Sequence, residues 1–323
     1  MDQVGHKRMM LFAGGANPEL SDEVAEHLGV PLGGMERSQF ANGEIYVRAT
    51  ESVRGADCFV IQTHSDPINF HIMEQLLMID ALNRASAKRI TAVVPFFGYA
   101  RQDKKVLPRE PISARLVGDL YMAAGADRIV SVDLHTGQIQ GFIPRPFDHL
   151  TALPIFADYL NGRLDGPITV VSPDAGGVKR AEKYARHLEA YVAFVAKRRE
   201  EEEHNVSEAL AMVGKVRDRH AVIVDDMVDT AGTSANAARL LREKGAKSVL
   251  LMATHGVFSE PSIDNLKNAP VDEVIVTNTL PLPDEAEALD KITVLSVAGI
   301  VAEALKAIFT ETSVSEIFLG ENV

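Results

Sequence analysis

The chain has 323 residues, 46% of them hydrophobic and 24% charged, a globular composition that excludes a disordered or fibrous protein. Lys plus Arg number 33 against 45 Asp plus Glu, so the formal net charge is −12, which argues against a general nucleic-acid binder and against adhesion to an anionic membrane. The single cysteine, Cys58, rules out an intrachain disulfide and a multi-cysteine metal site, and it fits a reducing, cytoplasmic compartment.

The apolar stretch at 9–13 is far too short to span a membrane, and Gly-Gly-Ala-Asn-Pro follows it. Residues 59–61 read as a buried strand. Residues 70–87 predict a helix, with Ile72, Leu76, Ile79 and Leu82 at helical spacing. A second strand at 90–94 is stopped by Pro95. Further along come a helix at 114–124, strands at 129–132 and 168–171, and a helix at 181–188. A strand at 221–224, a helix at 234–244 and a strand at 248–252 complete the series. Val/Ile runs without alternation indicate strands covered on both faces. Helices between such strands indicate parallel crossovers and an α/β fold.

The stretches DALNRASAKRITAVVPFFG (80–98), LYMAAGADRIVSVDLHTG (120–137) and ARLLREKGAKSVLLMATHG (238–256) echo one another. The echo is either the common form of a helix–turn–strand unit or the trace of a duplicated α/β domain. Pro144, Pro146 and Pro154 interrupt the pattern and suggest a boundary there.

The run HAVIVDDMVDTAGTSANAARLLREKG (220–245) carries the most chemistry. A buried strand ends in Asp225-Asp226, the loop Asp229-Thr230-Ala231-Gly232-Thr233 follows, and a helix opens at Ser234. Ligands of a parallel sheet sit at the carboxyl ends of its strands. Two adjacent carboxylates there are not expected in the core, because unpaired buried charge is costly. Sugar hydroxyls or a metal would satisfy them. Small loop residues, two hydroxyls and a helix N-terminus suit a phosphate. Taken singly, the same residues describe only a strand, a turn and a helix capped by Thr233 or Ser234.

The whole pattern resembles the phosphoribosyl-diphosphate-binding motif of the phosphoribosyltransferase fold. Blocks along the chain narrow the resemblance: FANGEIYVR (40–48), PFFGYARQDKK (95–105), REPISARL (109–116), VDLHTGQIQGF (132–142), VSPDAGGVKRAEK (171–183), KRR (197–199) and ATHGVFS (253–259). Together they are similar to the phosphate-dependent ribose-phosphate diphosphokinase family. That resemblance implies two related phosphoribosyltransferase-like domains, 1–150 and 151–323, each a mainly parallel sheet flanked by helices. The C-terminal tail is expected to pack back on the first domain.

The resemblance also implies transfer of the diphosphoryl group of ATP to the C1 hydroxyl of ribose 5-phosphate, with Mg²⁺ as cofactor and phosphate as activator. Lys197 and Arg199 would form the catalytic pair, on a mobile, charged loop that runs into the acidic residues 200–203. Phe40, Asn42, Gly43, Glu44, Arg101, Gln102 and His135 would bind ATP, the first four from a neighbouring subunit. Asp225, Asp226, Asp229, Thr230, Ala231, Gly232 and Thr233, with Arg199, would bind ribose 5-phosphate. His135, Asp174 and Asp133 match metal-associated positions. His135 would act as a ligand, through water or on a phosphate. Gly176 and Gly177 would offer N–H groups to the diphosphate. Ser52, Arg54, Ser86, Arg109, Ser313 and Ser315 resemble a site for activating phosphate and inhibitory ADP. A homohexamer of dimers is implied, and neither nucleic acid nor membrane is an expected partner.

Two positions depart from the family's pattern. Pro144 stands where an acidic residue is usual, leaving Asp148 nearby, and Pro108 stands where a serine precedes Arg109. Two other readings compete. A base-specific phosphoribosyltransferase would have no need of Arg101-Gln102 or of Lys197 and Arg199. A non-catalytic regulator would be expected to lose those cations or to interrupt Asp225-Asp226.

Overall fold

The structure, a computed structural model, describes residues 7–202 and 205–318, with backbone alone at 197–202 and 205–210. The side chains of Lys197 and Arg199 and the acidic run 200–203 therefore lie outside the described residues. The chain divides into two units. One takes the described residues up to Thr151, then Thr279–Pro281 and the described residues from Ser296 onward; the other takes the described residues of Ala152–Asn278 and Leu282–Leu295.

The first unit opens with β1 (Met9–Ala13) and α1 (Pro18–Leu28). The Asn17 side chain accepts the Leu20 N–H at 3.1 Å, Pro18 opens the helix, and Gly29 ends it at φ 64°. Such a left-handed stop is strained for any residue with a Cβ. An antiparallel pair, β2 (Met35–Gln39) and β3 (Ile45–Ala49), forms a separate small sheet. There follow β4 (Asp57–Ile61), α2 (Ile68–Arg84), β5 (Arg89–Val94), α3 (Ser113–Ala124), β6 (Arg128–Val132) and β7 (Phe147–Leu150). The main sheet has the order β1-β4-β5-β6-β7, and every pair in it is parallel. Every residue of β4 is buried, as a strand covered on both faces requires.

The second unit contains α4 (Leu153–Leu160), β8 (Ile168–Ser172), α5 (Val178–His187), β9 (Tyr191–Glu202) and β10 (Asn205–Val213). It continues with β11 (His220–Val228), α6 (Gly232–Glu243), β12 (Ser248–Gly256), α7 (Ser262–Lys267), β13 (Glu273–Thr277), α8 (Asp284–Glu287) and β14 (Ile292–Leu295). Its sheet has the order β10-β9-β8-β11-β12-β13-β14, and among the described pairs only β9 with β10 is antiparallel. Val171, Ile223, Leu251 and Val274 lie at the centre of its core. The last long helix, α9 (Ala298–Thr310), belongs to the first unit and packs on α1.

Three expectations change. Lys197 and Arg199 stand on a strand rather than a loop, opposite Leu210 and Glu208 in the β9–β10 register. Charged residues do not interrupt a strand whose partner supplies an unbroken hydrogen-bond ladder. Next, β11 continues past residue 224, pairing with β12 as far as Val228 opposite Gly256, so Asp225 and Asp226 lie within the strand. Last, α6 begins at Gly232 rather than at Ser234.

Candidate active site

Immediately after β11, the chain turns through Asp229 and Thr230 into α6. The residue before the helix is Ala231, held at φ 59° with no side-chain cap on the N–H groups that follow. The capping role expected of Thr233 or Ser234 is therefore not observed. Asn265 of α7 clamps the turn by donating to the Thr230 carbonyl at 2.8 Å. Thr230 and Thr233 are exposed, and a Cβ on Gly232 would meet nothing within 4 Å. Open space, two hydroxyls and a helix start without a side-chain cap together offer a donor surface for an anion.

Just upstream, Asp225 is half-buried and Asp226 fully buried. Asp226 is only 3% exposed, which overturns the expectation that neither acid is buried. Paired charge makes this possible. Arg180 of α5 reaches Asp225 Oδ1 at 2.6 Å and Asp226 Oδ1 at 2.9 Å, and the Asp226 N–H donates to Asp225 Oδ1 at 2.9 Å. One guanidinium thus holds two adjacent carboxylates in a fixed orientation. Arg180 was not identified as functional from sequence, although it lies inside the quoted block 171–183.

Burial, together with the Asp226 charge, pushes the Asp225 carboxyl up to about 7, and Arg180 opposes the shift. A carboxyl raised above its unfolded value stabilises the fold fully in acid and loses that contribution as pH rises through about 7. The urea midpoint of the ligand-free protein is expected to fall across this window. Asp225→Asn is expected to flatten that step, and an unchanged step would assign it to another group.

The loop between β8 and α5 carries Asp174. Its Oδ1 accepts the N–H groups of Gly176 at 2.8 Å and Gly177 at 3.0 Å. The two donors expected for a diphosphate are thus turned onto Asp174. Ser172 steadies the same loop, its hydroxyl donating to the Asp174 carbonyl at 2.6 Å.

In the first unit, Arg101 and Gln102 follow β5 in an exposed loop. The Gln102 side-chain oxygen accepts the Ser113 hydroxyl at 2.6 Å, which fixes it against the start of α3. Asp103 accepts the Thr136 hydroxyl at 2.7 Å, so this loop is tied to the one after β6 that bears Asp133 and His135. Asp133 sits at φ 37° and His135 is half-buried. Arg101, Gln102, Asp133 and His135 therefore share one end of the first unit's sheet. Asp148 pairs with Arg128 at 2.5 Å across adjacent strands, which occupies it structurally.

Phe40, Asn42, Gly43 and Glu44 form the turn of the β2–β3 hairpin. Gly43 adopts φ 93° and donates to the Phe40 carbonyl at 2.8 Å, and Asn42 Oδ1 accepts the Glu44 N–H at 3.2 Å. Phe40 is 57% exposed, an apolar face open to a planar ligand, with Tyr46 edge-on at 6.2 Å. Among the remaining positions, the Gly55 N–H donates to the Ser86 carbonyl at 2.9 Å, which joins the loop bearing Ser52 and Arg54 to Ser86. Glu311 pairs with Lys7 at 2.5 Å and Arg89 at 3.5 Å, which brings the tail carrying Ser313 and Ser315 near the same edge. Arg109 lies apart, at φ 72° in the loop before α3.

The chain is similar to known proteins along nearly its whole length. Residues 9–125 match the family described as the N-terminal domain of ribose phosphate pyrophosphokinase, and residues 205–319 match the phosphoribosyl synthetase-associated domain. Proteins named ribose-phosphate pyrophosphokinase are 56% identical in Streptomyces avermitilis, over 97% of each chain, and 48% identical in Nostoc, over 96% of this chain and 94% of that one. The crystal structure of phosphoribosylpyrophosphate synthetase from Mycobacterium smegmatis superposes with a TM-score of 0.89 at 51% identity, covering 94% of this chain and all of that one. With its fold and nearly its whole length matched, the chain belongs to the ribose phosphate pyrophosphokinase family.

Proposed function

We propose that the chain transfers the diphosphoryl group of ATP to the C1 hydroxyl of ribose 5-phosphate, giving 5-phosphoribosyl 1-diphosphate and AMP. The observation that carries this reading is the β11–α6 segment, where an oriented acid pair stands one turn from a helix start without a side-chain cap. Ribose hydroxyls donate to the half-buried Asp225, while the buried Asp226 holds Arg180 beside it. The 5-phosphate takes the N–H groups at the start of α6 and the hydroxyls of Thr230 and Thr233, with Asp229 and Ala231 shaping the turn. Arg101 and Gln102 hold the nucleotide phosphates, and Phe40 with Asn42, Gly43 and Glu44 supplies an adenine face from a second copy. The C1 oxygen attacks the β-phosphorus of ATP, the bond to the α-phosphate oxygen breaks, and AMP leaves with that oxygen while the hydroxyl proton passes to solvent. Lys197 and Arg199 stabilise charge on the transferring group.

Among the described residues no three His, Cys, Asp or Glu side chains converge as a metal cage. Single carboxylates suit Mg²⁺, which keeps waters and binds through one or two carboxylates plus substrate phosphates. Asp133 in the first unit and Asp174 in the second are each an oxygen donor of that kind, taken separately. The nitrogen donor His135 suits a water or a phosphate oxygen better. Bound with ATP, the ion would neutralise charge on the polyphosphate.

Family membership also supports a cytoplasmic homohexamer of dimers. It likewise supports phosphate activation and ADP inhibition through Ser52, Arg54, Ser86, Arg109, Ser313 and Ser315. No described helix is long and apolar enough to cross a membrane. The decisive assay follows AMP formed from ATP and ribose 5-phosphate with saturating Mg²⁺ and phosphate. AMP in equal amount to phosphoribosyl diphosphate is expected; ADP in its place, or no turnover beside an active control, would overturn the reading.

A further inference from the structure

A buried hydrogen-bond chain crosses the core of the first unit and ends on the backbone of the loop that carries Arg101 and Gln102. The Gly98 N–H donates to His64 Nδ1 at 2.8 Å. His64 Nε2 meets the Tyr121 hydroxyl at 2.7 Å, and that hydroxyl donates to Gln75 Oε1 at 2.5 Å. Gln75 Nε2 donates to the carbonyls of Val60 at 2.9 Å and Val93 at 3.3 Å. His64, Tyr121 and Gln75 are each at most 1% exposed.

Both ends of this chain are backbone groups whose polarity cannot reverse. A peptide N–H can only donate and a carbonyl can only accept. The direction of every link is therefore determined. His64 carries its proton on Nε2 and presents Nδ1 as an acceptor. The opposite tautomer would set two donors face to face at Gly98. Burial pushes the imidazole down to about 3, so the neutral ring persists across the working range. Gly98 is itself constrained, since a Cβ there would lie 2.8 Å from Ile68 Cδ1 and 3.1 Å from His64 Cβ. The next residue, Tyr99, is held at φ 63°.

We propose that Tyr121 and His64 are positioning residues for the nucleotide loop: the hydroxyl of Tyr121 selects the His64 tautomer that fixes Gly98, and through it the placement of Arg101 and Gln102 toward ATP. The proposal rests on the reading of 95–102 as the nucleotide loop. Neither residue touches substrate, and neither moves a proton in the reaction.

The test compares Tyr121→Phe, His64→Ala and His64→Asn in the full-length enzyme. Each of Tyr121→Phe and His64→Ala removes two links of the chain, but only the hold on Gly98 bears on the loop, so each is expected to raise KM for ATP about fivefold, the size of one buried hydrogen bond, with kcat and KM for ribose 5-phosphate within about twofold. Asn places an oxygen near the former Nδ1, so His64→Asn is expected to restore most of the ATP affinity. A purely structural role would not distinguish Asn from Ala. Nitrogen-15 spectra of the wild-type histidines are expected to show one ring protonated on Nε2 and unresponsive to pH down to about 4. An Nδ1–H tautomer, or folded Tyr121→Phe and His64→Ala variants with unchanged KM for ATP beside an Arg101→Ala variant whose KM rises, would overturn the proposal. If Arg101→Ala itself left KM for ATP unchanged, the nucleotide-loop reading would be what failed, and the tautomer spectrum would still report on the chain.

Discussion

Lys197→Ala is expected to lower kcat about a thousandfold while KM for ribose 5-phosphate stays within about twofold. The transferring diphosphoryl group spreads negative charge over its outer oxygens in a loose transition state, and a cation that meets this charge only at that stage acts on kcat. On the function proposed above, ribose 5-phosphate sits on a different element, the β11–α6 segment, so its ground-state binding is expected to be independent of position 197. Topology supports the division. β9 pairs with β8 only from Tyr191 to Phe194, and beyond that its described partner is β10 alone. A two-stranded ribbon running beyond the parallel strands is a marginal element, and position 197 lies in it, outside the parallel pairing that carries the β11–α6 segment. Steady-state kinetics with titration of ribose 5-phosphate would decide the matter. A raised KM at unchanged kcat would place Lys197 in substrate binding instead.

Arg180→Met is expected to destabilise the second unit by about 3–5 kcal/mol near pH 8, because it leaves Asp225 and Asp226 without their shared countercharge. The loss should shrink near pH 5.5. There a proton on the acid pair takes over part of the neutralising role, since Asp225 is already pushed up to about 7 with the arginine present. Arg180→Lys should recover part of the loss, as a point charge does not span two carboxylates as a planar guanidinium does. Urea denaturation at the two pH values is the measurement. Equal losses at both would show that the methionine disturbs packing rather than charge.

Much of the fold was legible because parallel strands covered on both faces are written as unbroken apolar runs. Phe59-Val60-Ile61 lies in β4 and Val222-Ile223-Val224 in β11. The strand β2, Met-Glu-Arg-Ser-Gln, has no such run and lies mostly exposed, so periodicity had nothing to detect. The end of β11 was missed for a related reason. Asp225-Asp226 breaks the apolar pattern, yet the ladder to β12 continues beneath it. The acids themselves stood out in the motif, but their burial did not. That depends on Arg180, 45 residues from Asp225 in sequence and brought alongside only by the packing of α5 on the sheet. The chain from Gln75 to Gly98 was silent for the same cause: His64 and Tyr121 are 57 residues apart, and neither belongs to a motif.

The division of the chain also bears on how the protein is made. The second unit is threaded into the first, which is left at Thr151 and rejoined for good at Ser296. The helix that rejoins it, α9, buries Val301, Ala302, Ala304 and Leu305. During synthesis every residue of the second unit therefore precedes α9, whose packing on α1 completes the first. The first unit, begun earlier along the chain, is thus completed after the second. Until the last helix clears the exit tunnel, α1 waits with an uncovered apolar flank, and a chain arrested shortly before it would expose the nucleotide-loop half to aggregation rather than the ribose half.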